Sequence, residues 1–265
     1  MKIIHFNSGL GNQIFQYMFA EWQRQNGNKV YGYYNPKWLQ QHNGLEVDKV
    51  LDADMPPCTW YSNLLALLCR TVHRFDKLGR FFSTDEQYNA SAIYYSGYWQ
   101  DLKFYKDLPK PQYKHFDIGE DNAKIKDLML HTNSVSMHIR RGDYLESNTS
   151  KLMGGICTLD YYNKAIALVK TKIQTPVFFV FSDDIEWAKE NFAKDNMHFI
   201  DWNTGKDSFF DMYLMSQCKA HIIANSSFSY WGAYLSDVNL MTIYPSRWYN
   251  GKPSPAIAPA EWIGI

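Results

Sequence analysis

Two adjacent arginines lie at the end of an apolar run in Val135-Ser136-Met137-His138-Ile139-Arg140-Arg141-Gly142-Asp143-Tyr144. A guanidinium presents planar, bidentate donors, so Arg140 and Arg141 with a turning glycine form a compact seat for a dianion or a diphosphate. An ordinary surface pair neutralised by Asp143 and Glu146 is the competing reading. A second cluster, Phe181-Ser182-Asp183-Asp184, offers paired carboxylates that could hold a divalent metal, orient an arginine or a base, or cap the following helix. The third is Ala224-Asn225-Ser226-Ser227-Phe228-Ser229-Tyr230-Trp231-Gly232, preceded by Asp211 to Cys218. Its hydroxyl residues fit a phosphate seat at a strand-to-helix junction, and singly they fit ordinary N-caps. The fourth is Gly9-Leu10-Gly11-Asn12-Gln13, which lacks both the third glycine of a dinucleotide fingerprint and the Lys-Ser/Thr of a P-loop. Alone it is a weak anion-binding turn whose Asn12 and Gln13 suit sugar hydroxyls or phosphate oxygens.

The elements that must position these clusters follow from periodicity. Lys2 to Phe6 reads as a strand, Ile14 to Gln25 as a helix with Ile14, Phe15, Met18, Phe19 and Trp22 on one face, and Lys29 to Tyr34 as a second strand. That is a βαβ opening. From Asn35 to Pro111 the pattern loosens, with one helix expected from Ser62 to Phe75. The second half alternates strands at 134–139, 177–181, 197–200, 220–224 and 240–244 with helices at 159–171, 185–192, 208–217 and 228–235. Near-continuous apolar strands such as Val177-Phe178-Phe179-Val180-Phe181 fit a doubly wound parallel sheet covered on both faces. Such sheets bind ligands beyond the carboxyl ends of their strands, where the clusters fall. Pro109-Lys110-Pro111 marks a boundary, giving domains 1–115 and 116–265, with the last residues free to pack back on the first domain.

Bulk properties exclude two classes of function. The chain has 265 residues, 27 Lys+Arg against 27 Asp+Glu, and 46% hydrophobic residues, which argues against a charge-driven nucleic-acid binder and against disorder. Its 19 Tyr, 16 Phe and 9 Trp lean weakly toward a ligand with sugar rings or a nucleobase, although aromatics also fill cores. Phe178, Phe179 and Phe181 read as core. Cys58, Cys69, Cys157 and Cys218 show no Cys-x-x-Cys spacing and are expected reduced. The sequons at Asn89, Asn148 and Asn225 are taken as chance. No signal peptide or transmembrane segment is expected, which predicts a cytoplasmic protein with peripheral attachment at the inner face of a membrane as the alternative.

In order, Gly9-Leu10-Gly11-Asn12-Gln13-Ile14-Phe15-Gln16-Tyr17, His138-Ile139-Arg140-Arg141-Gly142-Asp143-Tyr144, Phe181-Ser182-Asp183-Asp184 and Asn225-Ser226-Ser227-Phe228-Ser229-Tyr230-Trp231 resemble the bacterial α-1,2-fucosyltransferases, glycosyltransferase family 11. Gly97-Tyr98-Trp99-Gln100-Asp101 resembles the family's aromatic-Gln segment, and Tyr230-Trp231 departs mildly from its Trp-Trp. The resemblance implies an α/β, GT-B-like fold with two Rossmann-like domains facing a cleft, GDP-fucose as donor substrate, no cofactor and no metal. It implies inverting transfer of L-fucose to the 2-hydroxyl of a terminal galactoside on an oligosaccharide acceptor.

By the same resemblance Arg140 matches the essential arginine on the β-phosphate and Arg141 its less required neighbour. His138 and Asp211 match guanine-pocket positions, and Ser226, Ser227 and Phe228 the phosphate turn. Asn12 and Gln13 would reach the diphosphate-fucose from the opposite domain, and Asp183 belongs to the donor site. Tyr98, Trp99 and Tyr144 are candidates for lining the acceptor. Breaking the C1–O bond leaves charge on GDP that Arg140 must stabilise. The acceptor hydroxyl loses a proton, for which Asp143 is the first candidate base and Glu146 and His5 weaker ones. Orienting an arginine is the alternative role of Asp143. Rival functions are a fucosyltransferase of other linkage or with a protein acceptor, and a non-catalytic carbohydrate-binding protein.

Overall fold

The structure, a computed structural model, describes residues 1–40, 42–76, 80–145, 147–194 and 196–265. The chain divides into two compact units, Met1–Lys114 and His115–Ile265.

In the first unit β1 (Lys2–Phe6) is buried throughout and lies in the middle of a four-stranded parallel sheet. Helix α1 (Leu10–Gln25) begins four residues before its apolar periodicity does, because Gly9 takes an extended conformation and serves as N-cap. The glycine turn is therefore the first turn of the helix. Then come β2 (Val30–Tyr34), α2 (Pro36–Leu39), α3 (Val47–Val50), α4 (Trp60–Val72), β3 (Phe82–Thr84) and β4 (Tyr94–Ser96). Strand order is β2-β1-β4-β3. Thr59 and Ser62 cap α4 reciprocally, and the helix lays Ser62, Ala66 and Cys69 inward, beside a core that includes Tyr31, Tyr33 and Tyr94. The sequence pattern hid β3 and β4 because each is only three residues long.

The second unit contains α5 (Gly119–His131), β5 (Asn133–Ile139), α6 (Ser147–Met153), α7 (Leu159–Lys172), β6 (Pro176–Ser182), α8 (Ile185–Phe192), β7 (Met197–Ile200), α9 (Phe209–Gln217), β8 (Ala220–Ile222), α10 (Ser227–Tyr234), β9 (Met241–Tyr244) and β10 (Ile263–Gly264). All six strands pair in parallel in the order β10-β9-β8-β5-β6-β7. Successive side chains face opposite ways in a strand, and the core divides accordingly. Val135, Met137, Ile139, Phe178 and Val180 pack with α7 and α8, whereas Phe179 and Phe181 pack with Met129, Leu214 and Met215 on the other face. The phenylalanines of β6 are core, as the sequence predicts.

Two features lie outside the sequence reading. Helix α5 was not foreseen, because its apolar side chains are few among polar ones and only Asn122 and Met129 are buried. The final residues join the second unit: Ile263 and Gly264 extend its sheet beside Ile243 and Tyr244, and Trp262 packs on Tyr230. A parallel edge supplies hydrogen-bond partners that a loose tail would lack.

Candidate active site

Strand order locates the site of the second unit. From β5 the chain proceeds to β6 and β7 on one side, and β8, β9 and β10 extend on the other. The order reverses between β5 and β8, and the crevice beyond such a switch point is where open α/β sheets hold ligands. The segment after β5 carries Arg140 to Asp143, and the one after β8 carries Asn225 to Ser227.

Arg140 is held from two sides. Its Nε donates to Asp143 Oδ1 at 2.9 Å, and Nη1 reaches Asp183 Oδ2 at 3.1 Å. Burial opposes the charge of its guanidinium, and the carboxylates of Asp183 and Asp143 outweigh that effect. Asp183 also accepts from the backbone N–H of Arg141 at 2.8 Å and of Gly142 at 3.1 Å, which clamps the turn. Gly142 is required for that approach, since a Cβ there would lie 2.8 Å from Asp183 Oδ2. Arg141 points elsewhere: its Nε donates to Asp184 Oδ2 at 3.0 Å, and its guanidinium lies 3.9 Å from the centre of the Trp187 ring. Asp184 is also the N-cap of α8, accepting from Trp187 N–H. Asp183 and Asp184 thus orient arginines, clamp a turn and cap a helix. Among the described residues no group of three or more His, Cys, Asp and Glu side chains could hold a metal ion.

The two loops at the switch point are joined. Tyr144 donates its hydroxyl to the carbonyl of Asn225 at 2.9 Å, while Asn225 Nδ2 donates to the carbonyls of Met153 and Trp248. The Tyr144 hydroxyl, expected at an acceptor, is engaged in holding the arginine turn to the serine turn. Ser226 caps α10, its side chain accepting from Phe228 N–H, and Ser227 opens the helix. His138 meets Phe228 at 5.9 Å between ring centres. Burial, helped by the Arg140 charge, pushes the His138 pKa down to about 3, so the ring is neutral, and its buried Nδ1 has no partner among the described residues. Asp211 lies at the start of α9, its Oδ1 accepting from Asn203 Nδ2 at 2.9 Å. Burial pushes its carboxyl pKa up to about 7 against that hydrogen bond. Glu146 lies outside the described residues.

The first unit brings its own motifs together. Strands β1 and β4 are neighbours, so the loops leaving their carboxyl ends meet. Ser8 Oγ and the Tyr98 hydroxyl are 2.9 Å apart, Gln16 Nε2 donates to the Gly97 carbonyl at 3.1 Å, and Gln100 Nε2 donates to Asn12 Oδ1 at 3.1 Å. Two candidates differ from expectation. Gln13 is fully buried: its Nε2 donates to the Ser8 and Gly44 carbonyls, and its Oε1 accepts from Glu46 N–H at 2.9 Å. It holds a loop, and the Glu46 carboxylate accepts from Leu10 N–H at the start of α1, where the sequence suggested a ligand anion. Trp99, expected against the acceptor, is 2% exposed and stacks on Phe19 at 4.2 Å. Its φ of +59° turns the ring inward, with Asp85 accepting the N–H groups of Tyr98 and Trp99. His5 is buried among Tyr33, Trp38 and Tyr94, and burial together with Arg70 lowers its pKa to about 4, which makes it a weak base.

Sequence reasoning missed Trp187, Asn225 as a joint, and Glu46. The first carries a signal in retrospect, an aromatic three residues after a capping aspartate, whereas Glu46 lies 33 residues from Gln13 in unpatterned sequence.

The chain is similar in sequence to known glycosyltransferases. An α-1,2-colitosyltransferase of Escherichia coli is 35% identical over 97% of this chain and 96% of its own length. The O-antigen biosynthesis glycosyltransferase WbnK of Escherichia coli is 34% identical over 63% of this chain and 59% of its own, and a human galactoside α-(1,2)-fucosyltransferase is 31% identical over 49% and 38% respectively. Among solved structures, a family 9 glycosyl transferase from Veillonella parvula aligns with a TM-score of 0.48 at 12% identity, over 99% of this chain and 86% of its own. The family model of glycosyl transferase family 11 matches residues 73–265, which hold Arg140, its two carboxylates and the serine turn. With most of the chain and the whole switch-point cluster inside that match, the protein belongs to glycosyl transferase family 11.

Proposed function

We propose that the chain transfers L-fucose from GDP-fucose to the 2-hydroxyl of a terminal galactoside with inversion at C1, without a metal or cofactor. The observation that carries this reading is the state of Arg140. Its Nε donates to Asp143 and its Nη1 is ion-paired with Asp183, so the other N–H donors are presented by a guanidinium whose orientation is already fixed. It stands at the switch point whose other loop opens α10 at Ser227. A leaving diphosphate gains negative charge as the glycosidic bond breaks, and preorganised donors stabilise that charge without reorganising. The bond between C1 and the β-phosphate oxygen breaks as the acceptor oxygen bonds C1 from the opposite face, and its proton departs.

Arg140 and the N–H and hydroxyl of Ser227 bind the diphosphate in this reading, with Ser226 shaping the turn. Neutral His138 beside Phe228, and Asp211, bind the guanine. Arg141 and Asp183 act by positioning: one locks the turn to α8 through Asp184 and Trp187, the other clamps it through backbone amides. Asp143 orients Arg140, and the acceptor oxygen, bonding late to a largely dissociated C1, gives up its proton to solvent water. In the first unit Asn12 and Tyr98, joined through Gln100 and Ser8, are the sugar-contacting candidates.

A second donor deserves comparison, because the relative matched over almost the whole chain is a colitosyltransferase. Colitose is the 3-deoxy counterpart of fucose, so the two readings differ only in one donor hydroxyl. The test incubates the protein and lactose with GDP-fucose and GDP-colitose separately and in competition, and determines product linkage by NMR. An α-1,2-fucosylated galactoside formed in excess EDTA is expected. A preference for GDP-colitose would transfer the assignment to that sugar, release of free fucose alone would remove the acceptor, and complete loss in EDTA would return Asp183 and Asp184 to a metal.

A further inference from the structure

Helix α4 faces the wrong way for a helix of a freely soluble unit. Its fully inward residues are small, Ser62, Ala66 and Cys69, with Leu65 packed beside them, while the outward side is apolar. Trp60, Leu64, Leu67, Leu68 and Val72 are exposed, and the turn that follows adds Phe75; Trp60 is 78% and Phe75 84% exposed. At 100° per residue these side chains cover an arc of about 140°. The polar groups on that arc are Thr71 and the hydroxyl of Tyr61, which is bonded to Tyr31. Exposed apolar residues scattered singly are ordinary, but a contiguous stripe along a whole helix marks a contact surface.

Charge distinguishes what that surface meets. The whole chain is neutral, yet Trp60 to Arg80 contains Arg70, Arg74, Lys77 and Arg80 against Asp76 alone. The Asp76 carboxylate accepts the backbone N–H groups of Arg80, Phe81 and Phe82, which turns it into the chain. At the other end of the stripe Lys29 lies 5.6 Å from the centre of the Tyr31 ring, and the Tyr31 hydroxyl bonds that of Tyr61 at 2.7 Å. Lys29 and Arg80 are both exposed. Aromatics and bases thus stand at both ends of an aliphatic middle, the distribution that seats a helix in the interface of an anionic bilayer. A second copy of the chain would instead bring like charges together across a two-fold axis.

We propose that α4 is a membrane-surface anchor, which lays Leu64, Leu67, Leu68 and Val72 into the headgroup boundary of an anionic lipid leaflet with Lys29 and Arg80 on lipid phosphates. No helix among the described residues is long and apolar enough to cross a membrane, so the attachment is peripheral. It is independent of which sugar is transferred.

The test is flotation of the full chain with vesicles of phosphatidylethanolamine and phosphatidylglycerol, beside vesicles of phosphatidylcholine alone. Flotation with the anionic vesicles, weakened by added salt, is expected. Leu64→Ser with Leu68→Ser should lower the partition coefficient roughly tenfold or more, with transfer to a soluble acceptor unchanged. Trp60→Phe, which preserves bulk, keeps binding but removes a component of the fluorescence quenched by brominated lipid. Failure of the parent to float, equal flotation of the double variant, or a salt-insensitive dimer that the double variant dissociates would each overturn the proposal. Loss of transfer with flotation intact would instead count against the proposed activity alone.

Discussion

Asp211→Asn tests the burial of this carboxyl and its proposed contact with guanine by separate readouts. Burial raises this carboxyl from 3.8 to about 7. A shift of about three units corresponds to about 4 kcal/mol, an upper limit for a side chain that keeps some contact with water. The sign follows from proton counts. Between pH 4 and 7 the native state holds a proton that the unfolded state has released, so this contribution to stability is complete below pH 4 and is lost as pH rises toward 7. Asparagine keeps the acceptor for Asn203 Nδ2 and does not ionise. Urea unfolding of both proteins at pH 4, 6 and 8 should therefore give equal stability at pH 4 and an advantage for the variant of about 2–4 kcal/mol at pH 8. If Asp211 accepts guanine N–H donors, the same substitution removes a charged hydrogen bond worth about 1.5–3 kcal/mol and raises the KM for GDP-fucose roughly tenfold to a hundredfold at little cost in kcat. A stability difference that does not change with pH would refute the buried-carboxyl argument, and an unchanged KM would remove Asp211 from the guanine pocket.

Three further outcomes are expected. Arg140→Lys keeps the charge but loses the fork between Asp143 and Asp183, so kcat should fall roughly a hundredfold or more with the circular-dichroism spectrum unchanged; near-normal kcat would mean that orientation is unimportant. Gly142→Ala drives a methyl against Asp183 and should lower kcat about tenfold or more through a displaced Arg140, with little effect on melting temperature, whereas parental kinetics would show that the clamp tolerates slack. Trp99→Ala should cost about 3–5 kcal/mol in urea unfolding, while Tyr98→Phe should raise the acceptor KM at parental stability; the reverse pattern would exchange core and site between these neighbours.

How much of this was legible before the structure depends on the range over which each residue acts. The strands and helices of the second unit show in the sequence because periodicity is a local property, and α8 and β7 begin and end where the pattern places them. The motifs after β5 and β8 were legible as chemistry, and strand order explains why two segments about 85 residues apart share one crevice. Orientation was not legible. Arg140 and Arg141 are neighbours in sequence, and only the placement of Asp183, Asp184 and Trp187 shows that they point to different partners. Gln13 and Trp99 have side chains that could contact a ligand, and the burial of both depends on residues remote in sequence or on one positive φ. Beyond the βαβ opening of the first unit, short strands and polar connections leave little period to read, and the outward apolar face of α4 resembles an ordinary core helix in the sequence.

The strand β10 is only two residues long, yet among the described residues it is the strand that pairs with the β9 edge of the six-stranded sheet, at Ile243 and Tyr244. An uncovered parallel edge of Met241, Thr242, Ile243 and Tyr244 would present unpaired amides on an apolar strand, the kind of template on which chains associate. Deleting Trp262 to Ile265 should therefore reduce solubility before it reduces activity, since the switch point between β5 and β8 is two strands away.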